Sequence, residues 1–125
     1  MPLPDPRFTH GLELFNKRDF FECHEVIEEL WLETKPDPYS DLYKGVIQAA
    51  SALHQWKRGY LGGAHRLFLS SVKYLEPYEP AALGLDVAKL LKDMRGCFEG
   101  LGRSGGNDTP APPDDSMPIL KYRSH

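Results

Sequence analysis

Apolar residues recur along this 125-residue chain at intervals of three and four positions, the spacing that buries one face of a helix. Alternating β-branched runs, which would mark strands, are missing. Phe8, Leu12, Leu14 and Phe15 lay out a first helix over about 7–17. A second starts at Asp19, where Asp19-x-x-Glu22 has the form of a capping box: the aspartate accepts from exposed N–H groups and the glutamate reaches back. The run ETKPDP ends it, because Pro36 and Pro38 cannot continue a helix. Pro38 then suits the first turn of a third helix capped by Asp37. That helix runs to Lys57-Arg58-Gly59, two cations and a glycine that match a C-terminus. A fourth helix covers about 60–76 until EPYEP breaks it. A fifth begins near Asp86 and carries Val87, Leu90, Leu91, Met94 and Phe98 on one side.

A weak internal repeat relates the first two helices to the next two. Leu12 aligns with Leu53, Phe15 with Trp56, Cys23 with Ala64, His24 with His65, and Ile27 with Phe68. Each copy reads helix, tight turn, helix. Phe20, Cys23 and Ile27, like Leu61, Ala64 and Phe68, resemble the apolar and small positions on the second helix of a tetratricopeptide hairpin, where small residues let helices approach closely. The expected fold class is all-α: a compact bundle of about five helices, built from two helical hairpins and a closing C-terminal helix. Residues 1–101 form a single helical domain on this reading. Residues 102–125 form a flexible Gly/Pro-rich C-terminal tail, too poor in apolar residues to offset its ordering entropy. Its end, MPILKY, is apolar enough to dock on a neighbour but reads first as a frayed terminus.

Composition acts mainly by exclusion. A net charge of -3 with no basic run gives no footprint for nucleic acid. No apolar run approaches the roughly 20 residues that span a membrane. The start MPLPDPRF has prolines where a signal peptide would be apolar. Cys23 and Cys97 lack metal-type spacing and read as reduced thiols, so the expected location is cytoplasmic.

A helical wheel sorts the second helix. At about 100° per residue, with Phe20 at zero, Val26, Leu30, Cys23, Ile27, Phe20 and Trp31 fall in one apolar arc. Glu22, Glu25, Glu29 and Glu33 form the solvated face. His24 and Glu28 fall between Trp31 and Phe21, inside the apolar surround, one turn apart and able to touch. On the third helix His54 lies between Tyr43 and Ile47, while Gln48 shares the polar stripe with Asp41, Lys44, Ser51, Gln55 and Arg58. His65 sits at the edge of the apolar face of the fourth helix.

These residues support several chemistries. Two histidines and a carboxylate suit zinc, iron or manganese in a bundle interior. However, a zinc-protease helix needs a second histidine where Glu28 stands, and carboxylate-bridged di-metal bundles need Glu-x-x-His twice. No metal or other cofactor is therefore expected; if a divalent metal binds, its ligands are His24, Glu28 and His54. The plainer alternative is a buried polar pair in which Glu28 satisfies His24. A Cys23–His24 dyad is poor, since neighbours on a helix point about 100° apart. Lys57, Arg58, Arg66 and Lys73 read as a solvated basic edge. GYLGGA lacks the strand and the Gly-Lys-Ser/Thr of a phosphate loop.

The segments FFECHEVIEELW, YKGVIQAASALHQWKRGYLGGAHRLF and YLEPYEP together resemble the small all-helical bacterial and archaeal proteins grouped as domain of unknown function family 309. The likeness covers about residues 7–100. It implies a compact helical bundle and points to Phe20, His24, Glu25, Glu28 and Trp31 on the second helix, and to Gly45, Gln48 and His54 on the third. It brings no activity with it. The leading expectation is a small binding module whose polar cleft, between the second and third helices, takes a small polar ligand or a peptide through His24, Glu25, Glu28, Trp31, Gln48 and His54. One alternative is a hydrolase in which metal on His24, Glu28 and His54 activates water with Glu25 as general base. Another is a structural scaffold with a buried polar pair, which could self-associate as a homodimer through an exposed helix face. A small molecule or protein partner is expected, and neither nucleic acid nor membrane.

Overall fold

The computed structural model describes residues 4–34, 37–104 and 111–123. Five helices carry the fold: α1 (Pro6–Asn16), α2 (Phe20–Thr34), α3 (Ser40–Lys57), α4 (Leu61–Leu75) and α5 (Val87–Ser104). This is the all-α bundle that the apolar periodicity predicts. The starts of α1 and α3 have a local cause. Asp5 caps α1, its carboxylate accepting from the Arg7 N–H at 2.8 Å, with Pro6 in the first turn. Asp37 holds the entry to α3, its carboxylate accepting from the Tyr39 N–H at 2.7 Å, so the helix starts two residues later than the Pro38 position suggests. Pro36, the first half of the expected stop of α2, lies outside the described residues.

The two hairpins, α1–α2 and α3–α4, turn in the same way. Arg18 and Gly59 both adopt positive φ, 70° and 87°. Around them the backbone bonds correspond: Arg18 N–H to Phe15 C=O with Gly59 N–H to Trp56 C=O, and Asp19 N–H to Leu14 C=O with Tyr60 N–H to Gln55 C=O. Glycine adopts that conformation freely, whereas arginine does so at a cost of about 1–2 kcal/mol. The repeat seen in the sequence thus extends to the turn itself.

Helix α3 is the axis, packed extensively against both α2 and α4. Its inner face is small, with Gly45, Ala49, Ala50 and Ala52 buried beside Val46 and Leu53, so its neighbours approach closely. At Gly45 a Cβ would meet the Leu75 side chain at 2.6 Å. An aromatic cluster closes the far side: Phe68 stacks on Phe98 with centroids 4.7 Å apart and planes 2° apart, and Trp56 packs on the same Phe98 ring. Val87, Leu90, Leu91, Met94 and Phe98 of α5 are all buried, as their spacing predicts.

Two features depart from the sequence reading. Between α4 and α5 a two-residue antiparallel pair, β1 (Ala81–Ala82) and β2 (Leu85–Asp86), closes through Leu83 and Gly84, both at positive φ. It is too short for any periodicity to announce. The second concerns the C-terminal segment. Residues 105–110 of the expected tail lie outside the described residues, but 111–123 do not fray. Met117 and Leu120 are buried in the core, and Leu85 bridges Tyr122 beside the hairpin edge. Asp86 N–H donates to Lys121 C=O at 2.8 Å, and Arg123 N–H to Gly84 C=O at 3.0 Å. The open hairpin edge supplies backbone partners that composition could not show, and two apolar side chains anchor the strand beside it. Among the described residues no helix is long and apolar enough to cross a membrane.

Candidate functional site

Helices α2 and α3 run antiparallel, so residues early in α2 face residues late in α3. Phe21 meets His54, with ring centroids 5.9 Å apart. One turn on, His24 faces Ser51: Nδ1 and the serine Oγ are 3.4 Å apart. His24 Nε2 lies 2.8 Å from Glu28 Oε2, a pair within α2. At the far end Lys44 Nζ sits 4.3 Å above the Trp31 ring, a cation–π contact. A neutral His24 ring satisfied in this way donates from Nε2–H to the carboxylate and accepts at Nδ1 from the Ser51 hydroxyl.

One polar seam therefore runs along the α2–α3 contact, with Phe21 and His54 at one end, His24, Glu28 and Ser51 between, and Trp31 with Lys44 at the other end. Glu25, an expected member, is exposed on the outer face and is not part of it. The seam is not closed core. The side chains of His24 and Glu28 remain 35% and 46% exposed. Phe21 and Leu32, which frame the pair on the wheel, are themselves 55% and 59% exposed. The expected buried pair is thus a half-exposed one. Gln48 departs in the other direction. Placed in water by its stripe, it is half-buried, and its Oε1 is fully covered without a hydrogen-bond partner. Among the described residues no three His, Cys, Asp or Glu side chains are grouped to hold a metal ion, and the His24, Glu28 and His54 set is no exception.

At its His54 end the seam opens into a cleft of about 380 Å³, where α2 begins and α3 ends. Phe21, Glu22, His54, Lys57 and Arg58 line it, together with Arg18 from the preceding turn. Burial pushes the His54 pKa below the ordinary value, and Arg58, Lys57 and His24 push it the same way. His54 therefore presents a neutral ring at neutral pH, able both to donate and to accept. The basic edge read from Lys57 and Arg58 divides: these two line the cleft, and Arg66 turns toward Gly62 and Gly63. Phe21, Ser51 and Arg18 were not singled out for the site. Phe21 and Ser51 lie one turn from His24 and His54, a spacing that could have marked them. Arg18 carries no such signal, because its place depends on the hairpin turn.

The cysteines lie elsewhere. Cys23 is buried and its thiol is pushed up to about 12 by burial; Cys97 is half-buried and shifted in the same direction. Neither presents a ready thiolate nucleophile.

Residues 8–67 match the family described as Domain of unknown function (DUF309). The matched stretch runs from α1 into α4 and contains the whole α2–α3 seam. Over 98 residues, 77% of this chain, it is 39% identical to Uncharacterized protein YpuF of Bacillus subtilis (strain 168), a match covering 56% of that protein. Over 45 residues, 36% of this chain, it is 42% identical to an Uncharacterized protein of Aquifex aeolicus (strain VF5), covering 14% of it. The chain thus spans about half of the first relative's length and a small part of the second's. No solved structure matches the chain.

Proposed function

We propose that the protein is a small helical binding module whose cleft, between the start of α2 and the end of α3, takes a small polar ligand or the polar end of a peptide. The observation that carries this reading is the cleft itself, which opens where α2 begins and α3 ends and which His54, alone of the six expected residues, lines. A volume of about 380 Å³ falls within the roughly 300–1,000 Å³ of small-molecule sites. The lining has the mixture such sites use: an exposed ring, Phe21, for apolar contact, with His54, Lys57 and Arg58 to orient polar groups. Gln48 of α3 adds a covered, unpartnered acceptor. The two free thiols support a reducing, cytosolic setting for that binding.

Amide shift mapping of the full chain against a mixed set of neutral, anionic and cationic fragments tests the proposal. Saturable shifts confined to residues around Phe21 and His54 are expected, and weakened by His54→Phe. Shifts absent from both segments for every fragment class would reject it.

A further inference from the structure

Three of the side chains lining the cleft are cationic, Arg18, Lys57 and Arg58, against two carboxylates, Asp19 and Glu22. The helix ends do not decide the sign. α2 begins there and α3 ends there, so their partial charges of about half a unit each offset one another. The partners of the cations are instructive. Arg18 donates to the main-chain carbonyls of Pro118 at 2.6 Å and Met117 at 3.0 Å, which hold the guanidinium without cancelling its charge. Arg58 lies 5.3 Å from the Tyr60 ring, again an uncharged partner. Lys57 meets a carboxylate, Asp114 Oδ1 at 3.3 Å. Asp114 belongs to the C-terminal segment docked across Arg18, and its side chain is 60% exposed. The chain thus rests one of its own carboxylates on the cationic rim.

We infer that the cleft takes a small ligand bearing a carboxylate or a phosphate, held by Lys57 and Arg58 beside His54, and that Asp114 is an in-chain competitor for the Lys57 end. The inference rests on the proposed binding function and adds the charge of the ligand and a contact that regulates its access. Arg58 offers the planar fork that matches a carboxylate or phosphate edge, and its packing on Tyr60 keeps that fork oriented. Lys57 supplies a point charge and His54 a ring nitrogen. An exposed ion pair such as Lys57–Asp114 holds weakly, so an arriving anion displaces Asp114 at little cost.

Titration of the isotope-labelled full chain with inorganic phosphate and, separately, with succinate tests this, with ionic strength held constant by sodium chloride. Amides of 20–22 and 54–58 should shift saturably with at least one of the two, and which one responds distinguishes the two chemistries. Asp114→Asn should tighten binding about threefold, the scale of an exposed pair. Lys57→Gln should weaken it about tenfold, while Lys57→Arg, which keeps the charge, retains it. The amide spectrum of each variant reports its fold in the same experiment. Anions that shift nothing beyond the chloride control, in both the parent chain and Asp114→Asn, overturn the inference; so does a Lys57→Gln variant that binds as the parent does. If neutral or cationic fragments bind in the cleft and neither anion does, the inference fails and the binding function stands. If nothing binds, both fail.

Discussion

Asn16 and Leu120, 104 residues apart in the chain, exchange two hydrogen bonds: the Asn16 amide donates to Leu120 C=O at 3.0 Å, and Leu120 N–H donates to Asn16 Oδ1 at 2.7 Å. An asparagine side chain offers one donor and one acceptor side by side and so imitates a strand edge at the end of α1. Asn16→Ala removes both bonds and leaves two half-buried backbone groups without their partner. The expected loss is about 1–2 kcal/mol in urea denaturation, with faster proteolytic trimming of residues 111–123. A variant as stable and as resistant as the parent would show that the segment is held by its apolar side chains alone.

Gly45 sets the distance between α3 and α4. A methyl group there overlaps Leu75. Overpacking costs about 1–3 kcal/mol, offset by about 1 kcal/mol of helix propensity, so Gly45→Ala should lower the melting temperature. The double variant Gly45→Ala/Leu75→Ala should lose less than the sum of the single losses, because the second change makes room for the first. Additive losses would argue against the contact.

His54 links stability to pH. Its folded pKa is depressed, chiefly by burial, from the ordinary value of 6.5. Below that value the unfolded chain takes up the proton before the folded one, so the His54 contribution is intact above about pH 6.5 and is lost as pH falls toward the folded value. Denaturation at pH 7.5 and at pH 5, comparing the parent with His54→Asn, should show a smaller acid loss in the variant. Equal losses would remove His54 as a source.

The His24–Glu28 pair contributes little to stability. Both side chains are more than a third exposed, which places the pair with surface ion pairs. His24→Ala should cost less than about 1 kcal/mol, against about 3–5 kcal/mol for Phe98→Ala in the aromatic cluster. A His24→Ala loss in the range of a core substitution would mean that the seam is structural.

Most of the architecture was legible in the chain. Leu90, Leu91, Met94 and Phe98 are buried because helical spacing turns all four to one side, and that side is the only place for them. The repeat was legible for the same reason, while the equivalence of Arg18 and Gly59 came from the backbone of the turns. At the seam the His24–Glu28 contact was legible, since the two stand one turn apart on α2. Its character was not. A wheel gives the direction in which a side chain leaves its own helix, not what covers it. His24 and Glu28 point among apolar neighbours, yet Phe21 and Leu32 are themselves uncovered. Gln48 points with the polar stripe, yet it is half-buried and its Oε1 is covered.

What the sequence determines by itself is therefore local: the number of helices, their ends and the faces they bury, because periodicity and capping act within a few residues of the chain. What the tertiary structure decides is what meets across elements. Ser51 comes to His24 and Phe21 to His54 because α2 and α3 run antiparallel at one register. The C-terminal segment, polar enough on composition to stay free, docks because Asn16, Arg18 and the β2 edge happen to present unfilled donors and acceptors along one line. These hydrogen bonds join groups about a hundred or several tens of residues apart, so no local stretch of sequence carries both partners.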